Sequence, residues 1–338
     1  MTETTNTPIL VLGNGGWGTA ISIVLRSSGH DVRVWGHDAA YCDEIESSRE
    51  NRKYLAGVTI PEGLVFSSDI AELATGVETV FSVVPTQFLR ATLEELRGRL
   101  PAAGIYISCS KGFERETLEL PSAIISSFFP ECRISVLSGP SHAEEVSLGL
   151  PTTVVVGCGD ETLCSKIQQI ISSRSFRVYT SPDIRGVEVA GASKNVIALA
   201  AGISDGLGYG DNARAALVCR GASEVTRLGA ALECSRETFA GLSGIGDLVA
   251  TCTSQHSRNH AVGRRIGEGE SLDDILASSE KVAEGVETTR SMHQLSQKIN
   301  VELPITTEVY QVLFEGKTPA SAVADLMGRE LKRELSLI

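Results

Sequence analysis

The sequence has no long hydrophobic run, no paired cysteine motif and no early basic residues, and each absence excludes a class of protein. No segment approaches the roughly 18 apolar residues of a membrane-spanning helix. The eight cysteines lack a C-x-x-C pair, which predicts reduced thiols and neither a disulfide framework nor a zinc site. No lysine or arginine precedes Arg26, which is not typical of a secretory signal. We therefore expect a cytoplasmic protein without membrane insertion and without a bound metal.

Basic residues are in the minority, with 30 Lys and Arg against 42 Asp and Glu and a net charge of −12. A field of that sign repels nucleic acid and anionic lipid, so neither is an expected partner. An anionic small-molecule substrate would have to be held by a few concentrated donors against this field.

The chain alternates short β-rich segments with amphipathic segments in its first half, which predicts a mostly parallel, doubly wound sheet of the Rossmann type. The predicted strands are residues 9–12, 31–35, 79–84, 105–109, 133–137, 153–156 and 176–179, and the predicted helices among them include 16–28 and 87–100.

After about residue 181 the Val-rich strands give way to Ala- and Leu-rich helical patterns. The predicted helices are 183–205, 211–231, 259–268, 271–278, 285–299, 304–315 and 318–327. Since 338 residues exceed the roughly 250–300 that one core serves, we predict two domains. An α/β dinucleotide-binding domain spans 1–181 and an all-α domain for substrate binding and catalysis spans 182–338, with Ser181-Pro182 as the helix start.

A glycine motif follows the first strand and precedes a helix. Gly13, Gly15 and Gly18 form G-x-G-x-x-G, in which the first allows a tight turn, the second admits a pyrophosphate and the third lets helix and strand pack. The pyrophosphate would lie at the helix N-terminus. The alternative is a plain glycine-rich turn, but the position after an N-terminal strand favours dinucleotide binding.

The end of the second strand leaves the choice between NAD and NADP open. An NAD-only site usually places an acid there to bind the ribose 2′-hydroxyl. Here Trp35 is followed by Gly36 and His37, and Asp38 comes late. His37 and Arg33 permit a 2′-phosphate, although Arg33 is equally consistent with a solvated strand residue.

A lysine lies in a helix that is otherwise apolar nearly all round. The segment 186–201 carries Lys194 beside Asn195 among small residues, and such a helix should be buried. Desolvation lowers the pKa of a lysine, which suits acid–base work on a carbonyl or an alcohol. The alternative is a lysine whose stem crosses apolar surface to reach solvent.

Three further segments carry candidate functional side chains. Asp247 ends the glycine-rich segment 241–247 and would also suit a helix cap. The run Ser257-Arg258-Asn259 offers donors for a phosphate, although Asn259 could serve as an N-cap and the run could be a solvated loop. Lys111 follows the strand 105–109, at the edge where open α/β sheets bind ligands, although many lysines at strand ends only face water.

Taken together, these segments resemble the bacterial-type NAD(P)-dependent glycerol-3-phosphate dehydrogenases. The resemblance extends from Gly13 to about Glu330 and is carried by GNGGWGTA (13–20), VWGHD (34–38), SCSKGFE (108–114), SGPSHAEEV (138–146), the long segment 191–217 that contains SKN, GLSGIGDLVATCTSQHSRN (241–259) and VAEGVETT (282–289). The glycine motif is common to many families, whereas its combination with SKN, GDL and SRN is specific.

The resemblance implies reduction of dihydroxyacetone phosphate to sn-glycerol 3-phosphate with NADH or NADPH, as a supply for glycerophospholipid synthesis, by a homodimer. It implies catalytic roles for Lys194, Lys111 and Asp247. The implied substrate-binding residues are Lys111, Gly139, Ser141, Lys194, Asp247, Ser257, Arg258 and Asn259. The implied or inferred cofactor-binding residues are Gly13, Gly15, Gly16, Trp17, Gly18, Arg33, His37, Lys111, Ala143, Arg258, Val282 and Glu284.

Two alternative functions remain at this point. A related two-domain dehydrogenase acting on a hydroxy acid would need a carboxylate clamp where this chain has Ser257-Arg258-Asn259. A nicotinamide-sensing regulator could have lost Lys194, Asp247 and Arg258, yet all three are present.

Overall fold

The computed structural model describes residues 7–278, 283–331 and 333, and the chain divides into two compact units. The first comprises the chain up to Ser110 together with Pro121–Ile184, and the second comprises Lys111–Leu120 together with the chain from Arg185 onward. The sequence-based boundary after residue 181 therefore differs from a division that falls after Ile184. The assignment of Lys111–Leu120 to the second unit depends on long-range packing, which local sequence patterns do not report.

The first unit is an α/β unit. Its strands are β1 (Ile9–Leu12), β2 (Val32–Trp35), β3 (Glu50–Asn51), β4 (Leu55–Thr59), β5 (Leu64–Ser67), β6 (Thr79–Ser82), β7 (Ile105–Ser108), β8 (Arg133–Ser138), β9 (Thr152–Gly157) and β10 (Phe176–Ser181). Its helices are α1 (Gly16–Ser27), α2 (Ala39–Ser48), α3 (Ile70–Leu73), α4 (Thr86–Glu95), α5 (Pro121–Phe128), α6 (Ala143–Ser147) and α7 (Glu161–Ile171).

Within the described residues, eight strands form one sheet in the order β10-β9-β8-β7-β6-β1-β2-β5, and β3 and β4 form a separate hairpin. Every neighbouring pair of the large sheet is parallel except β8 and β9. Central β1 reads Ile-Leu-Val-Leu with at most 3% of any side chain exposed, since helices cover both faces of a parallel sheet. Burying each such side chain contributes about 1.5–3 kcal/mol. The predicted fold class is confirmed.

Sequence reasoning missed β5, the hairpin and several short helices. Helix α2 is typical, because only Cys42 and Ile45 of its residues are buried and it has too few apolar positions to show a period. Its start is set by a cap, in which Asp38 Oδ1 accepts a hydrogen bond from the backbone N–H of Tyr41 at 3.1 Å.

The second unit is helical in all of its described elements. They are α8 (Ile184–Gly206), α9 (Asp211–Ala231), α10 (Arg236–Ala240), a π-helical turn (Leu242–Gly246), α11 (Asp247–Thr253), α12 (Arg258–Gly267), α13 (Leu272–Ala277), α14 (Glu284–Ile299), α15 (Pro304–Phe314) and α16 (Pro319–Met327). Helix α8 is buried from Gly186 to Ser204 without a break, as its apolar composition predicts.

Helices α8 and α12 pack backbone to backbone through glycines four residues apart on each helix. A methyl group at Gly202 would overlap the carbonyl oxygen of His260, and one at Gly206 would overlap that of Arg264. Conversely, methyl groups at Gly263 and Gly267 would overlap α8 carbonyl oxygens. Because contacts advance along both helices in the same direction, α8 and α12 run parallel at close approach. The N-terminus of α12 therefore points back toward the first half of α8.

Among the helices that the structure describes, none combines the length and hydrophobicity that crossing a bilayer requires.

Candidate active site

The glycine motif forms the turn between β1 and α1. Gly13 has a φ of +111°, a conformation that disfavours side chains, and its N–H donates to Trp35 O at 2.9 Å. A methyl group at Gly18 would overlap the carbonyl oxygen of Gly13, so that α1 can begin this close to β1 only with glycine at position 18. Each of these positions thus performs the structural part of the predicted motif.

The N-terminus of α1 leaves open space where the motif would bind a phosphate. A Cβ at Gly15, the N-cap of α1, would meet nothing within 4 Å. The first N–H groups of a helix have no partner within the helix, so this open N-terminus suits an anion such as a pyrophosphate. The residues present therefore fit the phosphate part of a dinucleotide.

Other predicted cofactor residues lie around this turn within the first unit. A Cβ at Gly16 would lie 3.8 Å from Ala143 Cβ, and the Trp17 ring lies 6.5 Å from that of Phe176. Gly139, with a φ of +126°, follows β8, and its carbonyl accepts from Ser141 Oγ at 2.9 Å. The two predicted substrate residues of this loop therefore contact each other.

The residues after β2 differ from the pattern of an NAD-only site. Trp35 is buried and donates through Nε1 to Ser68 O, His37 is exposed, and Asp38 caps α2. Arg33 donates to Leu73 O at 3.0 Å and to Thr75 O at 2.9 Å. These bonds give Arg33 a structural role at the end of α3, and its role in cofactor binding stays a prediction.

Two lysines and one aspartate converge in the second unit. Lys111 Nζ lies 2.8 Å from Asp247 Oδ2, and Lys194 Nζ donates to Asp247 Oδ1. The side chain of Asp247 is 2% exposed, so both ion pairs are largely removed from water. This cluster places one carboxylate between two ammonium groups from distant parts of the chain.

Burial sets the protonation of the cluster. Desolvation, with a smaller effect of the Lys111 ammonium, lowers the pKa of Lys194 to about 8, although Asp247 opposes the shift. Burial raises the pKa of Asp247, but the two ammonium groups lower it by more, so the carboxylate stays ionised. Lys194 is therefore a group that can give and take a proton near neutral pH.

The π-helical turn Leu242–Gly246 leads the chain into Asp247. Gly244 has a φ of −89° and a ψ of −105°, and a methyl group there would overlap the carbonyl oxygen of Phe239. Asp247 is then the first residue of α11, and Thr251 Oγ1, one turn later, donates to its carbonyl at 2.6 Å. Sequence reasoning missed Thr251, although its spacing of four from Asp247 puts both on one face of the helix.

The predicted phosphate residues form the first turn of α12. Ser257 is the N-cap, with its Oγ accepting from the His260 N–H at 3.2 Å, and this leaves its own hydroxyl proton to donate. Arg258 is the first helical residue and its side chain is exposed. The expectation that Asn259 could be the cap is wrong, because Ser257 is.

Asn259 instead links three helices. Its Nδ2 donates to Asn195 Oδ1 at 2.9 Å, and its Oδ1 accepts from the Gly285 N–H at 3.0 Å. The residue after Lys194 thus bonds the residue after Arg258. Together with the parallel course of α8 and α12, this contact places the N-terminus of α12 beside the lysine.

Asn195 Nδ2 also donates to the backbone carbonyl of Lys111 at 3.2 Å. Since Asn195 directly follows Lys194 in the chain, it connects the backbone at both lysines to α12. Its polarity in an apolar helix was visible in the sequence, but its partners were not. Glu284 begins α14, next to Gly285. The predicted cofactor residue Val282 lies outside the described residues.

Known proteins match this sequence along nearly the whole chain. The family models described as NAD-dependent glycerol-3-phosphate dehydrogenase N-terminus and C-terminus match residues 8–164 and 183–324. The glycerol-3-phosphate dehydrogenase (NAD(P)+) of Bacillus mycoides strain KBAB4 is 48% identical over 335 residues, which are 98% of each chain. The chain belongs to the glycerol-3-phosphate dehydrogenase family.

Other members of the family are similar in sequence and in structure. The glycerol-3-phosphate dehydrogenase (NAD(P)+) of Geobacillus thermodenitrificans strain NG80-2 is 49% identical over 331 residues, or 97% of this chain and 96% of that protein. The crystal structure of glycerol-3-phosphate dehydrogenase from Coxiella burnetii superposes with a TM-score of 0.92 at 35% identity and covers 96% of this chain and 99% of that one. The resemblance inferred from the motifs is thus confirmed at the level of the family.

Proposed function

We propose that this chain reduces dihydroxyacetone phosphate to sn-glycerol 3-phosphate, reversibly, with NADPH or NADH. The observation that carries the proposal is the Lys111–Asp247–Lys194 cluster beside the N-terminus of α12, in a member of this dehydrogenase family. An acid–base group would then lie next to the helix end that we propose to bind the phosphate, which is the arrangement that a phosphorylated ketone needs.

The phosphate and the carbonyl have separate binding groups. Arg258 and Ser257 Oγ would hold the phosphate at the N-terminus of α12. That remote binding energy would orient the carbonyl toward Lys194. The Gly139–Ser141 loop is a further proposed contact of the substrate, on the resemblance alone.

Bound NAD(P)H supplies a hydride to the carbonyl carbon. As the C=O bond becomes a C–O single bond, protonated Lys194 stabilises the negative charge on oxygen and gives it a proton, which completes the alcohol. Asp247 holds the Lys194 ammonium in place, and Lys111 adds positive potential. In the oxidation direction, neutral Lys194 takes the proton back.

The cofactor would be held by the glycine turn, Trp17 and His37 in the first unit, with Ala143, Lys111, Arg258, Val282 and Glu284 as further contacts implied by the family. The carboxylate that follows β2, Asp38, is used to cap α2. We therefore infer that NADPH is accepted, with the exposed His37 as the residue that would contact a 2′-phosphate.

The decisive experiment follows loss of reduced-nicotinamide absorbance with dihydroxyacetone phosphate, with NADPH and NADH in parallel. We expect turnover with the phosphorylated ketone and little with dihydroxyacetone itself. Turnover of an unphosphorylated 2-oxo acid instead would indicate a hydroxy-acid dehydrogenase. Cofactor binding without any turnover would indicate a nicotinamide sensor and would overturn the proposal.

We also propose, on the family resemblance, a cytoplasmic homodimer whose product supplies glycerophospholipid synthesis. Light scattering should then give twice the chain mass of 35.9 kDa, and a monomer would contradict this. Cells depleted of the protein should regain growth when glycerol 3-phosphate is added.

A further inference from the structure

A buried amide of the β3–β4 hairpin lies under the glycine turn. The side chain of Asn51 is fully buried, and its Nδ2 donates to Asn14 O at 2.8 Å and to Thr19 Oγ1 at 2.7 Å. Asn14 lies between the first two glycines of the motif, and Thr19 lies in the first turn of α1. Both hydrogens of the Asn51 amide therefore form hydrogen bonds with the turn and the helix that would bind the pyrophosphate.

The other side of the same amide is held by the hairpin and α2. Tyr41 Oη donates to Asn51 Oδ1 at 2.6 Å, and the Tyr54 N–H donates to it at 3.2 Å. Tyr41 Oη in turn accepts from the Lys53 N–H at 3.0 Å. With two donors facing Oδ1 and two acceptors facing Nδ2, the amide has one satisfied orientation.

The geometry of the Asn14–Gly15 peptide bond determines which way the Gly15 N–H points. In a trans peptide the carbonyl oxygen of Asn14 and the N–H of Gly15 point to opposite sides. Asn51 holds the Asn14 carbonyl toward the hairpin, so the Gly15 N–H faces the opposite side. Gly15 is the N-cap of α1 and has open space beside it, so its N–H could there donate to a phosphate at the helix N-terminus.

We propose that Asn51 is a positioning residue for the cofactor: it fixes the Asn14–Gly15 peptide so that the Gly15 N–H binds the pyrophosphate of NAD(P)H. The inference rests on the proposed binding of NAD(P)H by the first unit. Asn51 itself contacts the turn and not the cofactor. Its effect should therefore fall on ligands that contain a pyrophosphate.

The test measures binding by calorimetry for the purified protein and its Asn51→Ala variant. The Kd for NADPH should rise about tenfold, which corresponds to about 1.4 kcal/mol, near the upper range for one hydrogen bond. The Kd for 2′-AMP, which carries the adenosine half without the pyrophosphate, should not change. In kinetics, KM for NADPH should rise while kcat at saturating cofactor and KM for dihydroxyacetone phosphate stay the same.

Two further variants keep the test decisive. Arg52→Ala alters an exposed residue of the same hairpin and should bind NADPH like the wild type. Tyr41→Phe removes one hydrogen bond to Asn51 Oδ1 and should raise the Kd for NADPH about threefold. If Asn51→Ala does not fold, the NADPH affinity of Tyr41→Phe tests the proposal in its place.

The contrary results are distinct. Unchanged NADPH affinity in Asn51→Ala, or in Tyr41→Phe where only that variant folds, would overturn the proposal, and so would an equal loss for NADPH and 2′-AMP. A wild-type protein that binds no NAD(P)H would overturn the proposed function, and this proposal with it.

Discussion

Asp247 is the residue on which the charge balance of the site depends. It is the shared partner of Lys111 and Lys194, and its carboxylate is almost completely buried. Removing one member of a buried ion pair leaves a charge without compensation and typically costs about 3–5 kcal/mol. The same burial that makes the cluster costly also gives Lys194 the lowered pKa that its proposed role needs.

The direction of the Lys194 pKa shift predicts opposite pH dependences for the two directions of the reaction. Protonated Lys194 is needed for reduction, so kcat/KM for dihydroxyacetone phosphate should fall as the pH rises through about 8, the folded pKa of Lys194. Oxidation of glycerol 3-phosphate needs the neutral amine and should speed up over the same range. Rates measured in both directions across this range would check it, and Arg258→Ala serves as a control that keeps the same profile. Parallel profiles in the two directions would contradict the role of Lys194.

Lys194 and Arg258 should affect different kinetic constants. Lys194→Ala should lower kcat by about 10²–10⁴-fold, the usual contribution of a general acid, because the proton donor is lost. Arg258→Ala should mainly raise KM for dihydroxyacetone phosphate, by roughly tenfold or more, because the phosphate loses a charged donor. Steady-state kinetics of both variants are the measurement. Equal effects of the two substitutions on both constants would contradict this division of roles.

Single residues were predictable where they broke a local pattern. Lys194 and Asn195 are polar in an apolar helix, and that conflict identified them. Asn51 breaks no pattern, because it is polar in a polar segment, and only packing reveals its partners. Thr251 is one threonine in the otherwise apolar segment 248–252, and a single threonine in a helix does not indicate a role. The hydrogen bonds of Arg33 to α3 likewise depend on where that helix lies.

At the scale of helices, the position of the proposed phosphate site depends on the contact between α8 and α12. Their glycines bring the two backbones together, and Asn195 bonds Asn259 across the pair. A second polar contact supports the first turn of α12, since His260 Nε2 lies 2.8 Å from Asp205 Oδ2 and Arg214 pairs with the same carboxylate. The distance from Lys194 to the phosphate donors is therefore a property of this helix pair.

Gly202→Ala should change the distance between Lys194 and the proposed phosphate donors of α12. The added methyl group overlaps the carbonyl oxygen of His260, and such overpacking typically costs about 1–3 kcal/mol. We expect a lower melting temperature and a raised KM for dihydroxyacetone phosphate, measured by thermal denaturation and kinetics. Gly210→Ala is a matched control, because its φ is −86° and a Cβ there meets nothing within 4 Å. Equal melting temperatures for the two variants would show that α12 can move away without cost.

Long elements were predictable and short ones were not. The period of apolar residues in α9, α14 and α15 extends over several turns, which suffices to predict a helix. Short elements such as α3 and α10 have too few residues for a period. The start of α3 comes from a single cap, Asp69, which accepts from two backbone N–H groups.

For the molecule as a whole, cofactor binding should appear as added stability. A ligand that binds only the folded chain at a hundred times its Kd adds about 2.7 kcal/mol to the free energy of unfolding. NADPH should therefore raise the denaturation midpoint in urea, and nicotinamide mononucleotide, which lacks the pyrophosphate and adenosine, should raise it less. No shift with saturating NADPH would contradict binding at the glycine turn.

The net charge of −12 acts on the whole molecule as well. It disfavours anions at long range, so an anionic substrate depends on local donors such as Lys111 and Arg258. The composition shows that local donors are required, but it does not show where in the fold they lie.

The sequence alone determined the class of fold and the glycine turn and identified candidates for the reacting groups, because these depend on local periods and motifs. Only the tertiary structure decided that Lys111 belongs with the helical unit, that one buried carboxylate holds two lysines, and that Asn51 anchors the glycine turn. These features join residues far apart in the chain, and their energies come from burial and hydrogen bonds that exist only once the elements pack.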